Sequence, residues 1–208
     1  MIPRLSYWSD GARGRGGRDQ IDVIERLARG GVEMVVLRER DWTGRDWSDC
    51  AARLAKARAN GLLVLASRRL DVARALELDG VHLGAESVTV AEARAFLGPR
   101  ACLGYSAHDA DEARRAADAG ADYVTLSPIF ATDSHPDREP RGCDWLAAAA
   151  AALPVPVLAL GGVTAARVGA VRAAGAWGVV AVSALGAAAD PEAAAREFRR
   201  ALADEGAT

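Results

Sequence analysis

The chain of 208 residues contains one lysine, Lys56. It lies inside the helical pattern from Trp47 to Asn60, away from any strand end. Schiff-base chemistry needs a desolvated lysine within the site, so the aldolases that work this way are disfavoured. Cysteine is nearly as scarce. Cys50, Cys102 and Cys143 are scattered, odd in number and without paired metal or redox spacing, which reads as three reduced bystanders. No apolar run approaches the length of a membrane span, and Met1-Ile2-Pro3-Arg4 has no apolar core of a signal peptide; a soluble cytoplasmic protein with no membrane partner is expected. The formal net charge is −2, and basic residues are spread along the chain instead of forming a stripe. That distribution argues against nucleic acid as a partner.

What the sequence does have is a repeat. Half of the residues are apolar, enough for one sizeable core, and a single domain over 1–208 is expected. Short β-rich apolar runs recur at Leu5–Trp8, Glu33–Leu37, Leu62–Ala66, Gly80–Leu83, Ala101–Gly104, Tyr123–Leu126, Val157–Leu160 and Gly178–Val182. Helical patterns rich in Ala, Arg, Glu and Leu separate them. Eight strands, each followed by a helix, predict a compact α/β fold, the parallel (β/α)8 TIM barrel. Helix starts are legible at Thr89 with Glu92, Asp109 with Glu112, Thr164 and Asp190-Pro191, and Gly30-Gly31, Gly120 and Gly175 stand where helices end. The alanine run 147–152 is strong helix former without assigned function. Two stretches resist regular structure, Asp10–Arg18 and Phe130–Gly142. Both are expected at the carboxyl face of the barrel, where such loops close over ligands or are simply disordered.

Chemistry is expected where barrel strands end. Gly104-Tyr105-Ser106-Ala107-His108 leads into a helix capped by Asp109, so His108 sits just outside a helix N-terminus. The positive end of a helix dipole disfavours imidazolium and suits the residue to proton abstraction; a capping or packing histidine is the alternative. Gly161-Gly162-Val163-Thr164 and Val182-Ser183-Ala184 end the seventh and eighth runs, the two places where barrels commonly hold phosphate through backbone N–H groups. Arg38 and Arg40 alternate around Glu39, with side chains on the same side of a strand, and could grip a phosphate or carboxylate or form a rim salt bridge. After the third and fourth runs stand Ser67-Arg68 and Gly84-Ala85-Glu86-Ser87. A Mg²⁺ site would want carboxylates there. Glu86 reads as solvated, and His82 as a core hydrogen-bonding group in preference to a ligand. Tyr105, Trp8 and Phe130 either touch a ligand ring or pack the core, with packing preferred, and His135 either covers a substrate or faces solvent.

Taken in order, Leu37-Arg38-Glu39-Arg40, Asp79-Gly80-Val81-His82-Leu83-Gly84, Gly104-x-Ser106-x-His108, Ala121-Asp122-Tyr123-Val124 with Pro128-Ile129-Phe130-x-Thr132, Leu160-Gly161-Gly162-Val163 and Val182-Ser183-Ala184-Leu185 resemble the thiamine phosphate synthase/TenI superfamily. The resemblance spans nearly the whole chain and implies a (β/α)8 barrel acting on thiazole phosphates. Its synthase branch joins hydroxymethylpyrimidine diphosphate to thiazole phosphate with Mg²⁺. That branch carries Gln before the Leu-Arg-Glu run, Lys after it, Asn-Asp at strand three, Asp after strand four and Thr-Lys after strand six. Here those places hold Val36, Arg40, Ser67-Arg68, Ser87 and Ser134-His135.

On these departures the resemblance implies the TenI branch: a thiazole tautomerase, an isomerase with neither metal nor organic cofactor, in which His108 moves the proton. Gly161, Gly162, Val182 and Ser183, with Ser106 and Thr132, are then expected to bind the thiazole phosphate, and Arg38, Arg40 or Arg68 its carboxylate. A synthase needing Mg²⁺ is the alternative, and a non-catalytic phosphate-binding regulator the third reading. Association into a homo-oligomer through outer helices is possible for a barrel of this size.

Overall fold

The computed structural model describes residues 1–11, 19–132 and 138–203. Eight parallel strands, β1 (Leu5–Trp8), β2 (Met34–Leu37), β3 (Leu63–Ser67), β4 (Gly80–Leu83), β5 (Cys102–Ala107), β6 (Tyr123–Leu126), β7 (Val157–Ala159) and β8 (Gly178–Ala181), form a closed barrel in sequence order. The helices around it are α1 (Gln20–Arg29), α2 (Gly44–Ala59), α3 (Leu70–Ala75), α4 (Val90–Leu97), α5 (Ala110–Asp118), α6 (Gly142–Ala152), α7 (Val168–Ala173), the short α8 (Ser183–Gly186) and α9 (Pro191–Ala203). The α8 turn is an addition to the expected eight. It is the extra helix that this architecture inserts after the eighth strand, beside its usual phosphate position.

Strand alternation divides the core in two. Leu5, Tyr7, Val35, Val64, Val81, Val124 and Val179 face outward and pack beneath the helices. Trp8, Met34, Val36, Leu65, Tyr123, Leu158 and Val180 fill the barrel interior. Gly104 makes room within it. A Cβ there would lie 2.2 Å from the Tyr123 ring and 2.4 Å from Nδ1 of His82.

A carboxylate one residue before alternate strands ties the amino end of the barrel together. Glu33, before β2, accepts from the amides of Arg4 and Leu5 at 3.1 and 3.3 Å. Asp79, before β4, accepts from the Val64 amide at 2.8 Å and pairs with Arg58 at 3.0 Å. Asp122, before β6, accepts from the Leu103 amide at 2.7 Å and pairs with Arg94 at 2.8 Å. Glu33 therefore belongs to the turn ahead of β2 instead of to the strand, a one-residue shift from the sequence boundary. The cylinder is closed outside by α9 against α1, where Gly30 admits the backbone of Glu192 and the Cβ of Ala195, and Arg26–Asp190 pairs at 2.9 Å.

The helix signals stand as read for Thr89 and Glu92, a full capping box. Asp190 accepts from the amides of Glu192 and Ala193. At Thr164 the side chain makes no cap, and the segment enters α7 through a 3-10 turn, Ala165–Arg167. Asp109 caps α5, but Glu112 reaches past the cap residue: its carboxylate accepts from the His108 amide at 2.8 Å and from the Tyr105 hydroxyl at 3.0 Å. The three cysteines are free, with burial raising the Cys50 and Cys102 thiols to about 12. Among the described residues no helix is long and apolar enough to cross a membrane.

Candidate active site

Every sequence-predicted site residue lies at or beyond the carboxyl end of a strand. A cleft of about 950 Å³ lined by Leu63, Gly80, Cys102 and Asp122 lies at the opposite, amino end and includes none of them.

The floor of the mouth is a hydrogen-bonded histidine. His82 is 2% exposed, its Nδ1 is 2.9 Å from the Tyr123 hydroxyl and its Nε2 is 2.9 Å from Oγ of Ser106. Thr125 Oγ1 lies 3.4 Å from the same Ser106 oxygen. Burial, aided by the charges of Arg38 and Arg68, pushes the His82 pKa down to about 3, so the imidazole is neutral with one donor and one acceptor nitrogen. Ser106, expected to touch phosphate, is thereby engaged from below by His82. Trp8 packs over His82 with ring centres 4.4 Å apart, and its Nε1 is buried without a partner among the described residues.

Above this floor, arginines ring the mouth. Arg38 lies along Trp8, 5.9 Å from the ring centre, with Asp10 at a loose 3.9 Å. Burial lowers its pKa, Asp10 opposes that, and the neighbouring charges of Arg40 and Arg68 add to it; a guanidinium nevertheless stays protonated. Arg40 is exposed and pairs with no carboxylate among the described residues. Arg68 follows β3 in a left-handed conformation, φ 61°, which is costly for a side-chain-bearing residue. Its amide donates to the His82 carbonyl at 3.0 Å, and its guanidinium lies beside Gly84 and pairs with Glu86 at 2.7 Å. Glu86, read as solvated, is thus the exposed partner of Arg68. Glu39, between the two arginines that follow β2, is buried near Gly11, and its charge acts on Arg38.

His108 is half-buried on the far side of the mouth. Arg138 Nη1 lies 2.9 Å from its Nδ1, and Arg141 donates to its carbonyl at 2.9 Å. Gly161 and Gly162 have φ of 94° and 62° and pass directly under the segment after β6: a Cβ on Gly162 would meet the Ala131 carbonyl at 2.3 Å. Arg167 donates to the Gly162 carbonyl at 2.6 Å and covers the Phe130 ring at 4.7 Å. Thr132 is half-buried just beyond Ala131, Val182 caps α8, and Ser183 is exposed at its first turn. Of the uncertain rings, Tyr105 faces α5 through Glu112, Trp8 lines the interior, and Phe130 packs under Arg167. Asp133, Ser134, His135 and most of the expected 10–18 loop lie outside the described residues.

Arg138, Arg141 and Arg167 escaped the sequence reading. Their only signal was three arginines in or just after glycine- and proline-rich segments that follow strands six and seven.

A barrel with its arginine- and glycine-rich cluster at the carboxyl ends of the strands defines an enzyme of the (β/α)8 class. Within that class, the chain belongs to the thiamine monophosphate synthase family, whose model matches residues 10–185. It is 43% identical to a thiamine-phosphate synthase of Methanoculleus marisnigri over 90% of each chain. It is also 43% identical, over 86% of its own length, to the thiamine biosynthesis bifunctional protein ThiM/ThiE of Symbiobacterium thermophilum, and spans 39% of that protein. Thiamine phosphate pyrophosphorylase from Pyrococcus furiosus has the same fold with a TM-score of 0.86, 26% identity, and coverage of 97% of this chain and 96% of that one.

These relatives overturn the tautomerase expectation. It rested on missing acids and lysines, read as lost synthase chemistry. Arginine, however, supplies the same positive charge as lysine and binds phosphate with two parallel hydrogen bonds.

The Mg²⁺ that the resemblance implies for a synthase does not fit the residues present. Ser67 and Arg68 stand at the strand-three position, and the Ser87 hydroxyl after strand four accepts from the Gly84 amide at 3.0 Å. Glu86, the carboxylate next to Ser87 in the chain, is already held by the Arg68 guanidinium. A dication beside Arg68 would be repelled by several kcal/mol even at the dielectric of a protein surface. Among the described residues no three His, Cys, Asp or Glu side chains cluster as a metal site.

Proposed function

We propose that the chain is a transferase of the thiamine-phosphate synthase type, joining hydroxymethylpyrimidine diphosphate to thiazole phosphate. The observation that carries this reading is 43% identity to a thiamine-phosphate synthase over nine-tenths of both chains. The layout of the mouth supports it. A reaction between two phosphorylated heterocycles needs two anion-receiving sides, and the mouth offers two groups of candidate anion-binding residues. Arg38, Arg40 and Arg68 gather after β2 and β3. Gly161, Gly162, Val182 and Ser183, with Arg167 nearby, gather after β7 and β8.

The first group receives the diphosphate and the second the thiazole phosphate, with His108, Ser106 and Thr132 between the sixth-strand side and the barrel floor. Coupling breaks the carbon–oxygen bond between the pyrimidine methylene and the diphosphate. It forms a bond from the thiazole ring nitrogen to that carbon, and the electron pair of the broken bond leaves with the diphosphate. The protein's task is to stabilise charge building on the departing oxygens. Guanidiniums placed against the departing diphosphate oxygens supply that stabilisation with no reorganisation at the moment of bond breaking. Neutral His82 keeps the floor uncharged beneath them.

The test is to incubate the full chain with both substrates, in separate arms containing Mg²⁺ or EDTA, and to measure thiamine phosphate and released diphosphate in equal amounts. Formation of both in either arm is expected, and formation of neither in both arms refutes the reading.

A further inference from the structure

The geometry points to a guanidinium site for diphosphate that works without a divalent cation, built by Arg38, Arg40 and Arg68, with Glu86 as a displaceable internal counter-ion. The inference rests on the synthase reading for the identity of the diphosphate's carrier, but the anion site itself stands on geometry.

Three guanidiniums lie near enough for Arg38 to feel the charge of both others, in a mouth whose described carboxylates are Asp10, the buried Glu39 and Glu86. Like charges gathered in a folded chain call for counter-charge, and the two carboxylates at the exposed rim, Asp10 and Glu86, hold their arginines weakly. Asp10 stands off at 3.9 Å, and Glu86 is 82% exposed. Exposed pairs of this kind contribute little and yield readily to a competing anion. A diphosphate brings several negative charges and adjacent oxygens spaced for the planar guanidinium fork.

The left-handed turn at Arg68 gives a second, independent mark. Backbone of this kind persists where the surrounding structure holds a side chain in one place. Here the Arg68 amide is bonded to the His82 carbonyl, and the side chain lies beside Gly84 at the edge of the mouth. Under Arg38, the Trp8 indole is 5% exposed and its N–H lacks a partner among the described residues. That is a buried donor on the ring beneath Arg38, without an acceptor among the described residues. A metal-bridged diphosphate would require Glu86 to leave Arg68 and bind the ion, leaving the guanidinium without its partner and beside a dication.

The two alternatives give Glu86 opposite signs. The experiment is calorimetric titration of the full-length protein with inorganic diphosphate, first in excess EDTA and then in Mg²⁺, for the unaltered chain, Arg68→Gln and Glu86→Gln. Binding in EDTA is expected, unchanged within about threefold by Mg²⁺, weakened at least tenfold in Arg68→Gln and tightened severalfold in Glu86→Gln. Binding only with Mg²⁺, or weakened by Glu86→Gln, or indifferent to Arg68→Gln, overturns the inference. Both substitutions lie on the exposed rim, and thermal melts of each variant check that they fold.

The two readings fail separately. Product formation that strictly needs Mg²⁺ leaves the synthase standing and removes the metal-free site. Metal-free diphosphate binding with no product in any arm does the reverse.

Discussion

Nε2 of His82 and Oγ of Ser106 lie 2.9 Å apart, with the other ring nitrogen of His82 at the same distance from the Tyr123 hydroxyl. The imidazole is held neutral by burial, with a pKa of about 3 against an ordinary 6.5. Between those values the unfolded chain binds a proton that the folded chain does not. Stability therefore falls as pH drops from 6.5 toward 3, by about 1.4 kcal/mol per unit well below 6.5. Urea unfolding at pH 6.5 and 5.0 should show a loss on the order of 1–2 kcal/mol from this residue. His82→Gln should be less stable at neutral pH, because two buried hydrogen bonds are disturbed, yet lose less between the two pH values. An equal loss in both proteins would mean that His82 is not buried in its neutral form.

Asp122 and Arg94 test the other end of the barrel. The carboxylate holds both the guanidinium and the Leu103 amide, and charged hydrogen bonds of this kind contribute about 1.5–3 kcal/mol. Asp122→Ala should lower the melting temperature by roughly 3–10 °C in a chain of this size. Turnover at a temperature where the variant is folded should be unchanged, because this end of a barrel serves stability and not chemistry. A kinetic defect in a fully folded variant would contradict that division.

The barrel was legible because its signal is repetitive. Eight apolar runs, capped helix starts at Thr89 and Asp190 and glycines at 30, 120 and 175 all pointed to one topology. What the pattern hid was tertiary. Glu33 reads as a strand residue by its neighbours, but its carboxylate is needed by the amides of Arg4 and Leu5. The α8 turn is too short for helical periodicity to register. In the site, strand ends announced Arg38, Arg68, His108, Gly162 and Ser183, whereas Arg138, Arg141 and Arg167 reach the mouth by loop paths that no local pattern encodes. The functional error came from treating lysine-to-arginine and acid-to-arginine changes as losses. Only their placement around one mouth suggests a replacement.

Gly162 separates packing from binding. Its φ of 62° and the Ala131 carbonyl 2.3 Å from where a Cβ would stand leave no room for a side chain. Gly162→Ala must push the segment carrying Phe130 and Thr132 or twist the turn proposed for the thiazole phosphate. The expected result is a KM for that substrate raised at least tenfold, with the KM for the pyrimidine diphosphate changed far less. Gly120→Ala is the control: its φ is also positive, at 97°, but nothing lies near its Cβ position. It should cost about 1–2 kcal/mol of stability and leave both KM values alone. Equal effects on the two substrates in Gly162→Ala would argue against separate anion sides.

His108 is the residue on which the tautomerase and transferase chemistries differ most. A tautomerase needs a base to lift a ring proton, and removing a general base typically costs 10²–10⁴ in rate, by the order of magnitude usual for such groups. In the coupling reaction the attacking thiazole nitrogen uses a lone pair and has no proton to surrender. His108 then has a positioning part, set by Arg138 beside its ring and Arg141 on its carbonyl. His108→Gln preserves a polar side chain of similar reach and leaves the backbone contact with Arg141 intact. It should keep kcat for thiamine phosphate formation within about tenfold, well short of a lost base, while raising KM for the thiazole phosphate. Steady-state kinetics with each substrate varied in turn decides the matter. A fall in kcat of a thousandfold or more, with KM unchanged, would place a proton transfer at His108 in the rate-limiting step and require a different account of the coupling.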